Sequence, residues 1–316
     1  MRPRDGGSTT KAGFGLVAGM IAMVAVPAAL TLHTVKLSSV VDVTSKNPSP
    51  FGYTVSLLLF AVPIIGIAFW FVPQEELHIS KKAFLWTIGL LFPIGAGLDF
   101  FFAHLFLTFP NKEATLGWKA PALHGGVPIE EYLFYLFGFV AVLLMYVWLD
   151  GYWLRAYAIG DDDPERVEFD RLLRFHPWSA GLGVVLILVA IIYKKFFSVE
   201  PDGFPGYWAF LVASALVPSA GLFPQVRGVI NWRAFSLTFF VILLMSLLWE
   251  ATLAAPYGWW GYQGRQMMGL RITAWAGLPI EAVVVWMVVT FTTVLVYETL
   301  RRWKASGRPI RRALMG

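Results

Sequence analysis

"GVPIEEYLFY", residues 126–135, places two adjacent carboxylates, Glu130 and Glu131, at the start of a long apolar run. Proline suits the first turn of a helix, and an acidic side chain there meets the positive end of the helix dipole. A second version, "GLPIEAVVVW", occupies residues 277–286 and has Ala282 in place of the second acid. Each stretch predicts the start of an apolar helix, and the pair indicates an internal repeat.

The composition identifies the class of protein. Apolar and aromatic residues make up 57% of the 316 residues and charged residues only 14%, whereas roughly a quarter of a soluble domain is charged. A membrane-spanning helix needs ~20 predominantly apolar residues. Eight segments approach or exceed that length: 13–33, 51–73, 83–107, 128–149, 178–198, 205–223, 234–256 and 279–299. The sequence therefore predicts an all-α fold, a polytopic membrane helix bundle of about eight transmembrane helices.

The basic residues predict the orientation of this bundle, because cytoplasmic loops carry an excess of Lys and Arg. With the N-terminus inside, the cytoplasmic segments hold 17 of these residues and the outer segments hold 8. We therefore expect a multi-pass protein of the cell membrane with both termini in the cytoplasm. The net charge of +5 follows from this bias and from a basic tail suited to anionic lipid, so it does not require a nucleic acid partner.

The repeat extends well beyond the two helix starts. "PQEELHISKKAFLWT", residues 73–87, aligns with "PQVRGVINWRAFSLT", residues 224–238, which lie 151 positions later. Without a gap, the same offset places Asp99 on Glu250. Each half holds four predicted helices, an even number, so both copies would cross the membrane in the same direction. The sequence therefore predicts a parallel 4+4 repeat.

The repeat divides the chain into units 1–150 and 178–316, joined by a polar cytoplasmic linker, 151–177. Within the linker, "DDDPERVEFDRLLRF" (161–175) predicts a short surface helix. Its acidic cluster, Asp161 to Asp163 before Pro164, also suggests a metal site. Helix initiation and capping is the better interpretation of acids that directly precede a proline.

Carboxylates within the predicted spans are the candidate functional groups, because ionisable side chains there are costly and rarely kept without a role. In both halves an acid precedes the Pro-Ile-Glu glutamate by 31 residues. The predicted topology places all of these acids in the outer half of the bilayer. We expect segments 83–107, 128–149, 234–256 and 279–299 to form a central bundle, in which Asp99, Glu130, Glu250 and Glu281 line a common apolar cavity. The candidate catalytic residues are Asp99, Glu130, Glu131, Glu250 and Glu281.

Several other kinds of chemistry are disfavoured. The chain has no cysteine, which excludes disulfides and thiolate catalysis. The glycines of "GFGLVAG" (13–19) lie in a predicted span with no strand before them, so they predict no dinucleotide site. The five histidines are scattered, and the membrane endopeptidase motif E-E-x-x-x-R has Tyr135 at its arginine position. We therefore expect no cofactor and no metal.

Acid catalysis on an apolar substrate remains. Burial in a medium of low dielectric constant favours the neutral form of a carboxyl group and outweighs the helix dipole. Such a group can protonate a carbon–carbon double bond, and aromatic faces can stabilise the resulting cation. Aromatic belts at membrane surfaces use the same residue types. The aromatic candidates for substrate binding are Phe102, Trp118, Tyr135, Trp260 and Tyr262.

At these motifs the chain resembles a known family, the heterodimeric or fused type of lycopene cyclase domain. The resemblance rests on "DFFFAHLFLTF" (99–109) with "GGVPIEEYLF" (125–134), and on "WEATLAAPYGWWGY" (249–262) with "AGLPIEAVVVW" (276–286). It implies paired helical membrane modules, each with an acid in one helix and a P-x-E-[ED] motif at the start of the next. It also implies that lycopene ends are cyclised by protonation, ring closure and proton loss, without net redox change.

The chain departs from the family pattern at Ala282, and only its second half has a W-x-Y element, Trp260 to Tyr262. Two alternatives therefore stay open. A carotenoid hydratase would begin with the same protonation and end with capture of water. A proton-coupled transporter would also combine a parallel repeat with intramembrane carboxylates, although "FPIGAG" (92–97) and "VPSAG" (217–221) offer only partial helix breaks. The expected partners are lycopene or a related linear carotenoid, the lipid bilayer, and other enzymes of the carotenoid pathway.

Overall fold

The computed structural model describes residues 50–73, 79–122 and 125–315. In this part of the chain seven helices are long and apolar enough to cross a membrane, which confirms the predicted all-α membrane bundle. The first predicted segment, 13–33, lies outside the described residues. The long helices are α1 (Gly52–Phe71), α2 (Lys81–Phe106), α3 (Ile129–Trp148), α5 (Pro177–Phe196), α6 (Gly206–Val226), α7 (Trp232–Trp249) and α8 (Ile280–Ala305). Two further helices are short: α4 (Pro164–Val167) and α9 (Ile310–Met315).

Two of the long helices continue as a turn of π-helix, α3 through Leu149–Trp153 and α7 through Glu250–Ala254. A π turn inserts one extra residue into the helical repeat and is frequent at functional sites. In α7 this turn begins at Glu250, one of the predicted catalytic acids. At its other end α7 is capped by Asn231, whose side chain accepts a hydrogen bond from the amide of Ala234 at 3.2 Å.

Within the described residues, three small antiparallel strand pairs lie among the loops. The strands are β1 (Leu107–Thr108), β2 (Lys119–Ala122), β3 (Gly125–Pro128), β4 (Gly261–Tyr262), β5 (Arg271–Ile272) and β6 (Leu278–Pro279). β2 pairs with β3 directly before α3, and β5 pairs with β6 directly before α8. The third pair, β1 with β4, joins the end of α2 to the loop after α7, with Leu107 opposite Tyr262.

The helices pack around α3 and α8, which contact each other. Helices α2 and α7 each contact both of these central helices, α1 packs on α3, and α6 packs on α8. α5 covers α6. Val142 and Leu143 of α3 and Leu295 of α8 are fully buried in the main apolar core between them. The predicted central bundle of four helices is therefore present.

A buried ionic network lies near the C-terminal ends of α3 and α8. Glu298 is 17 residues after Glu281, or roughly 25 Å along α8. It accepts hydrogen bonds from Arg166 at 2.8 Å and from the hydroxyl of Tyr146 at 2.9 Å. Arg301 donates to Asp150 at 2.6 Å. Because Arg166 belongs to the linker and the other residues to α3 and α8, the network fastens the linker to the bundle.

The linker has less helix than the sequence predicts. In place of a surface helix over 161–175, only Pro164–Val167 is helical, and Phe169 and Leu172 are buried against Ala313 of α9. Tertiary packing therefore overrides the helical pattern here. The predicted cap is confirmed, since the side chain of Asp163 accepts a hydrogen bond from the amide of Glu165 at 3.0 Å.

Candidate functional site

A buried chamber lies where the N-terminal ends of α3 and α8 and the C-terminal ends of α2 and α7 meet the strand pairs. Its volume is about 40 Å³, which is enough for one or two water molecules. It receives one predicted acid from each half of the chain, Glu131 from α3 and Glu250 from the π turn of α7. We call this cavity the central chamber. Its lining residues are Tyr53, Leu107, Glu131, Phe134, Tyr135, Gly138, Tyr207, Glu250, Trp260, Tyr262, Val285, Trp286 and Val289.

The two chamber acids are held by aromatic donors. The hydroxyl of Tyr53 donates to Oε2 of Glu131 at 3.1 Å. The indole N–H of Trp260 donates to Oε1 of Glu250 at 3.1 Å, and the hydroxyl of Tyr262 donates to the same oxygen. Glu131 and Glu250 are 5% and 3% exposed, respectively. Each carboxyl group is therefore fixed in position by hydrogen bonds at a site closed to bulk solvent.

Tyr262 is placed by the pairing of β4 with β1, which brings the loop after α7 to the end of α2. Burial raises the pKa of the Tyr262 hydroxyl well above its ordinary value, and the charge of Glu250 raises it further. The ordinary pKa of a tyrosine is about 10. Tyr262 therefore keeps its proton at physiological pH and remains a donor to Glu250.

The Pro-Ile-Glu glutamates occupy a different position from the chamber acids. Oε1 of Glu130 accepts hydrogen bonds from the Thr54 hydroxyl at 2.5 Å and from the Leu116 amide at 2.8 Å. Oε1 of Glu281 accepts one from the Met268 amide at 2.5 Å. Neither glutamate is among the described residues that line the central chamber. Both acids instead fasten the loop before their helix to its first turn.

Asp99 lies beside the chamber rather than in it. It is buried, and within the described residues its Oδ2 has no hydrogen-bond partner. Electrostatic interactions connect it to Glu131, which in turn interacts with Glu250. The expected single cavity lined by Asp99, Glu130, Glu250 and Glu281 is therefore not found in that form. Because Glu130 and Glu281 turn to their own loops, Glu131 and Glu250 line the chamber and Asp99 lines the neighbouring groove.

Two apolar grooves adjoin the central chamber on different sides. The α1 groove, between α1, α3 and α7, has a volume of about 630 Å³ and shares Phe134, Gly138 and Trp286 with the chamber. The α6 groove, between α2, α6 and α8, has a volume of about 580 Å³ and contains Asp99. It shares Leu107, Tyr135, Tyr207, Val285 and Val289 with the chamber. Both volumes lie in the range of ~300–1,000 Å³ that is typical of small-molecule sites.

Four of the five predicted substrate-binding aromatics lie at these cavities. Tyr135, Trp260 and Tyr262 line the chamber, and Phe102 lines the α6 groove. Trp118 is 72% exposed and is not among the described residues that line the chamber or either groove. It lies on the loop directly before β2, and its carbonyl oxygen accepts a hydrogen bond from the amide of Ile129 at 3.0 Å, whereas its side chain is exposed.

Sequence reasoning missed the two chamber tyrosines Tyr53 and Tyr207. Both follow a glycine in the first turn of a long helix, as "GY" at 52–53 in α1 and at 206–207 in α6. The offset between the two tyrosines is 154 rather than the 151 of the repeat. The recurrence of an aromatic hydroxyl at two helix starts was the signal that would have identified them.

Comparisons with protein-family models, with curated protein sequences and with solved structures give no match to this chain.

Proposed function

We propose that the protein is a carotenoid-modifying membrane enzyme, a lycopene cyclase-like isomerase that closes the ends of a linear polyene into rings by acid catalysis. The observation that carries the proposal is the central chamber. It combines two buried carboxyl groups, Glu131 and Glu250, with aromatic rings and with direct access to two apolar grooves. No cofactor is required for this chemistry, because the reaction moves protons and carbon–carbon bonds without net oxidation.

The proposed reaction begins when a neutral carboxyl group of the chamber gives its proton to the terminal double bond of the polyene. The resulting carbocation is attacked by a nearby double bond of the same chain, which forms the ring. A carboxylate then removes a proton from the ring cation and restores the double bond. Glu131 and Glu250 together can give and take this proton, so the enzyme returns to its starting state.

Aromatic side chains support the cationic stage. The ring of Phe134 lies 5.3 Å from that of Trp249, 6.0 Å from that of Trp260 and 5.2 Å from that of Trp286, measured between centroids. The negative faces of such rings attract a cation, most strongly where water is excluded. Burial of the chamber also keeps water away from the carbocation, which favours ring closure.

Hydration of the same double bond is the second candidate. The chamber has room for a water molecule, and Tyr53, Glu131, Glu250 and Tyr262 offer the polar partners that a bound water needs. Water that captured the carbocation would pass a proton to a chamber carboxylate, and the product would be a tertiary alcohol.

The architecture that supports this function is, we infer, the parallel 4+4 repeat. The helix contacts are equivalent in the two halves: α1 on α3 matches α6 on α8, and α2 on α3 matches α7 on α8. Exchanging the two halves also converts the contact of α2 with α8 into the contact of α7 with α3. The chamber then lies at the interface of the repeats, with both termini in the cytoplasm and the chamber in the outer half of the bilayer.

The direct test is pigment analysis of lycopene-accumulating bacteria that express the gene. New cyclic carotenoids, identified by chromatography and mass spectrometry, are the expected result. Hydroxylated linear carotenoids would favour the hydratase. Unchanged lycopene in cells that contain the folded protein in their membranes would overturn both and leave the proton-coupled transporter as the working hypothesis.

A further inference from the structure

The two grooves differ at the points where they meet the central chamber. Gly138 of α3 lies at the junction with the α1 groove, and Val289 of α8 lies at the junction with the α6 groove. The two positions are 151 residues apart, which is the offset of the repeat. One junction therefore has a hydrogen atom where the other has an isopropyl group.

The aromatic residue at the junction also differs between the two grooves. Trp286 adjoins the α1 groove and Tyr135 adjoins the α6 groove, again with an offset of 151. A Cβ atom added to Gly138 would lie 3.8 Å from Cζ3 of Trp286 and 4 Å or less from no other atom outside its own helix. The Trp286 ring therefore borders Gly138 on one side, and a single added methyl group would make no other close contact outside the helix.

The linings of the grooves differ in charge. Among the described residues that line the α1 groove, none carries an ionisable group. The α6 groove contains Asp99, whose buried Oδ2 has no partner in the described part of the chain. A hydrocarbon chain packed against the Asp99 carboxyl group would shield its remaining exposed part from water, and burial of a polar group without a hydrogen-bond partner costs free energy. The hydrocarbon part of an apolar ligand is therefore better accommodated in the α1 groove.

Resting on the function proposed above, we propose that the α1 groove binds the hydrocarbon chain of a linear polyene and that Gly138 is the gate through which its end enters the chamber. The α1 groove shares Phe134, Gly138 and Trp286 with the chamber, so an apolar chain that lies in the groove ends beside the chamber. The terminal double bond is presented to the chamber carboxyl groups at this junction, and the rest of the same molecule extends along α1, α3 and α7. The absence of a side chain at Gly138 thus determines which groove the substrate uses.

Ala141 offers a test at a distance from the acids. It lines the α1 groove one helical turn beyond Gly138 and is not among the residues that line the chamber. Its counterpart at an offset of 151 is Thr292, which lines the α6 groove. Ala141→Phe and Thr292→Phe are therefore matched variants that fill one groove each and leave the chamber unchanged.

The experiment measures binding separately from turnover. In a Glu131→Gln background, which slows conversion, protein purified from lycopene-accumulating cells is assayed for bound lycopene per protein by absorbance. Ala141→Phe and Gly138→Phe are expected to lower bound lycopene by roughly tenfold, whereas Thr292→Phe keeps it within about twofold. Gly138→Ala is expected to retain binding, since its added Cβ makes only an ordinary contact.

Size-exclusion elution and circular dichroism of each variant establish that it is folded, and unfolded variants are replaced by the leucine substitution at the same position. Loss of bound lycopene in Thr292→Phe but not in Ala141→Phe would overturn the groove assignment while leaving the enzyme proposal intact. Equal retention in all three phenylalanine variants would also overturn it. Failure of the enzyme proposal is distinct, because the wild-type protein would then leave lycopene unconverted in cells.

Discussion

Glu131 of α3 and Glu250 of the α7 π turn line the same buried chamber, although they belong to different halves of the chain and to different sequence motifs. The position equivalent to Glu131 in the second half is Ala282, and the position equivalent to Glu250 in the first half is Asp99. The chamber therefore takes one acid from each half of the chain, at positions that are not equivalent by sequence offset. The acids that face the chamber are therefore not the same as the acids that hold loops.

The first prediction concerns the chamber acids. Glu131→Gln and Glu250→Gln are each expected to lower the rate of lycopene conversion by ~10²–10⁴-fold, the usual contribution of a general acid or base. The rate is measured as product formed per protein in isolated membranes. Glu113→Gln, at an exposed position, is the matched control and should keep the wild-type rate. Full activity in either chamber variant would remove that residue from the mechanism.

The second prediction concerns the loop-holding acids. Glu130→Ala and Glu281→Ala leave the amides of Leu116 and Met268 without their acceptor. The free energy of unfolding is expected to fall by about 1–3 kcal/mol in each, as measured by equilibrium unfolding in detergent. Glu130→Gln and Glu281→Gln preserve the acceptor oxygen and should keep most activity. If Glu130→Gln is inactive at unchanged stability, Glu130 takes part in the chemistry, as the sequence motif alone predicts.

The third prediction concerns Tyr262 and pH. Because burial and Glu250 raise its pKa, the hydroxyl stays protonated as the pH rises and ionises only above its ordinary pKa of about 10. Tyr262 should therefore cause no loss of activity between pH 7 and roughly pH 10. Tyr262→Phe removes the hydrogen bond to Glu250 and is expected to lower kcat by about tenfold or more, because hydrogen bonds to charged groups contribute ~1.5–3 kcal/mol.

Tyr257→Phe is the control for this change, since Tyr257 packs against Trp259. Its activity and pH profile should match those of the wild-type protein. The role given to the Tyr262 hydroxyl would be contradicted if the activity of the wild-type protein decreased with rising pH before pH 9 and if this decrease were absent in Tyr262→Phe.

The fourth prediction concerns the buried ion pair of Arg166 and Glu298, both fully buried. Arg166→Met leaves Glu298 with one cationic neighbour, Arg301 at 3.5 Å. Removal of one partner of a buried pair costs about 3–5 kcal/mol of unfolding free energy. The double variant Arg166→Met with Glu298→Leu should recover part of that loss, since it removes the uncompensated charge.

The exposed pair of Arg271 and Glu200, at 3.3 Å, provides the reference. Arg271→Met should change the free energy of unfolding by at most ~1 kcal/mol, because surface ion pairs are screened by solvent. Equal effects of Arg166→Met and Arg271→Met would show that the linker network contributes no more than a surface contact.

The fifth prediction concerns orientation. Fluorescent protein fused after the C-terminus should be fluorescent in the cytoplasm, and alkaline phosphatase fused after Asp202, in the loop between α5 and α6, should be active outside it. The reverse pattern would invert the proposed topology and place the chamber toward the cytoplasm.

Much of the architecture was predictable because membrane helices are encoded locally. Each long helix of the described chain coincides with an apolar run of about 20 residues. The starts of α3 and α8 were likewise predicted, since Pro128 and Pro279 directly precede them. By contrast, the short strands and the burial of the linker depend on contacts between distant segments. Leu107 with Tyr262 and Arg166 with Glu298 are such contacts, and no local pattern reveals them.

The candidate site was predicted in its residue types and only partly in its geometry. All five acids of the two motifs are buried, as expected of carboxylates inside spans. Which of them face the chamber depends on the rotation of each helix about its axis and on which backbone amides lie nearby. Glu130 and Glu131 are adjacent in sequence, yet on a helix they point about 100° apart, so one faces a loop and the other the chamber.

The sequence by itself determined that this chain forms apolar membrane helices, that its two halves share motifs, and that carboxyl groups are kept within the spans. These properties follow from composition and from a constant spacing along the chain. Only the tertiary structure decided that Glu131 and Glu250 share a chamber, that Glu130 and Glu281 hold loops, and that Gly138 opens on a groove. The reason is that hydrophobicity fixes which segments enter the bilayer, whereas the packing of helix against helix fixes which side chains meet inside it.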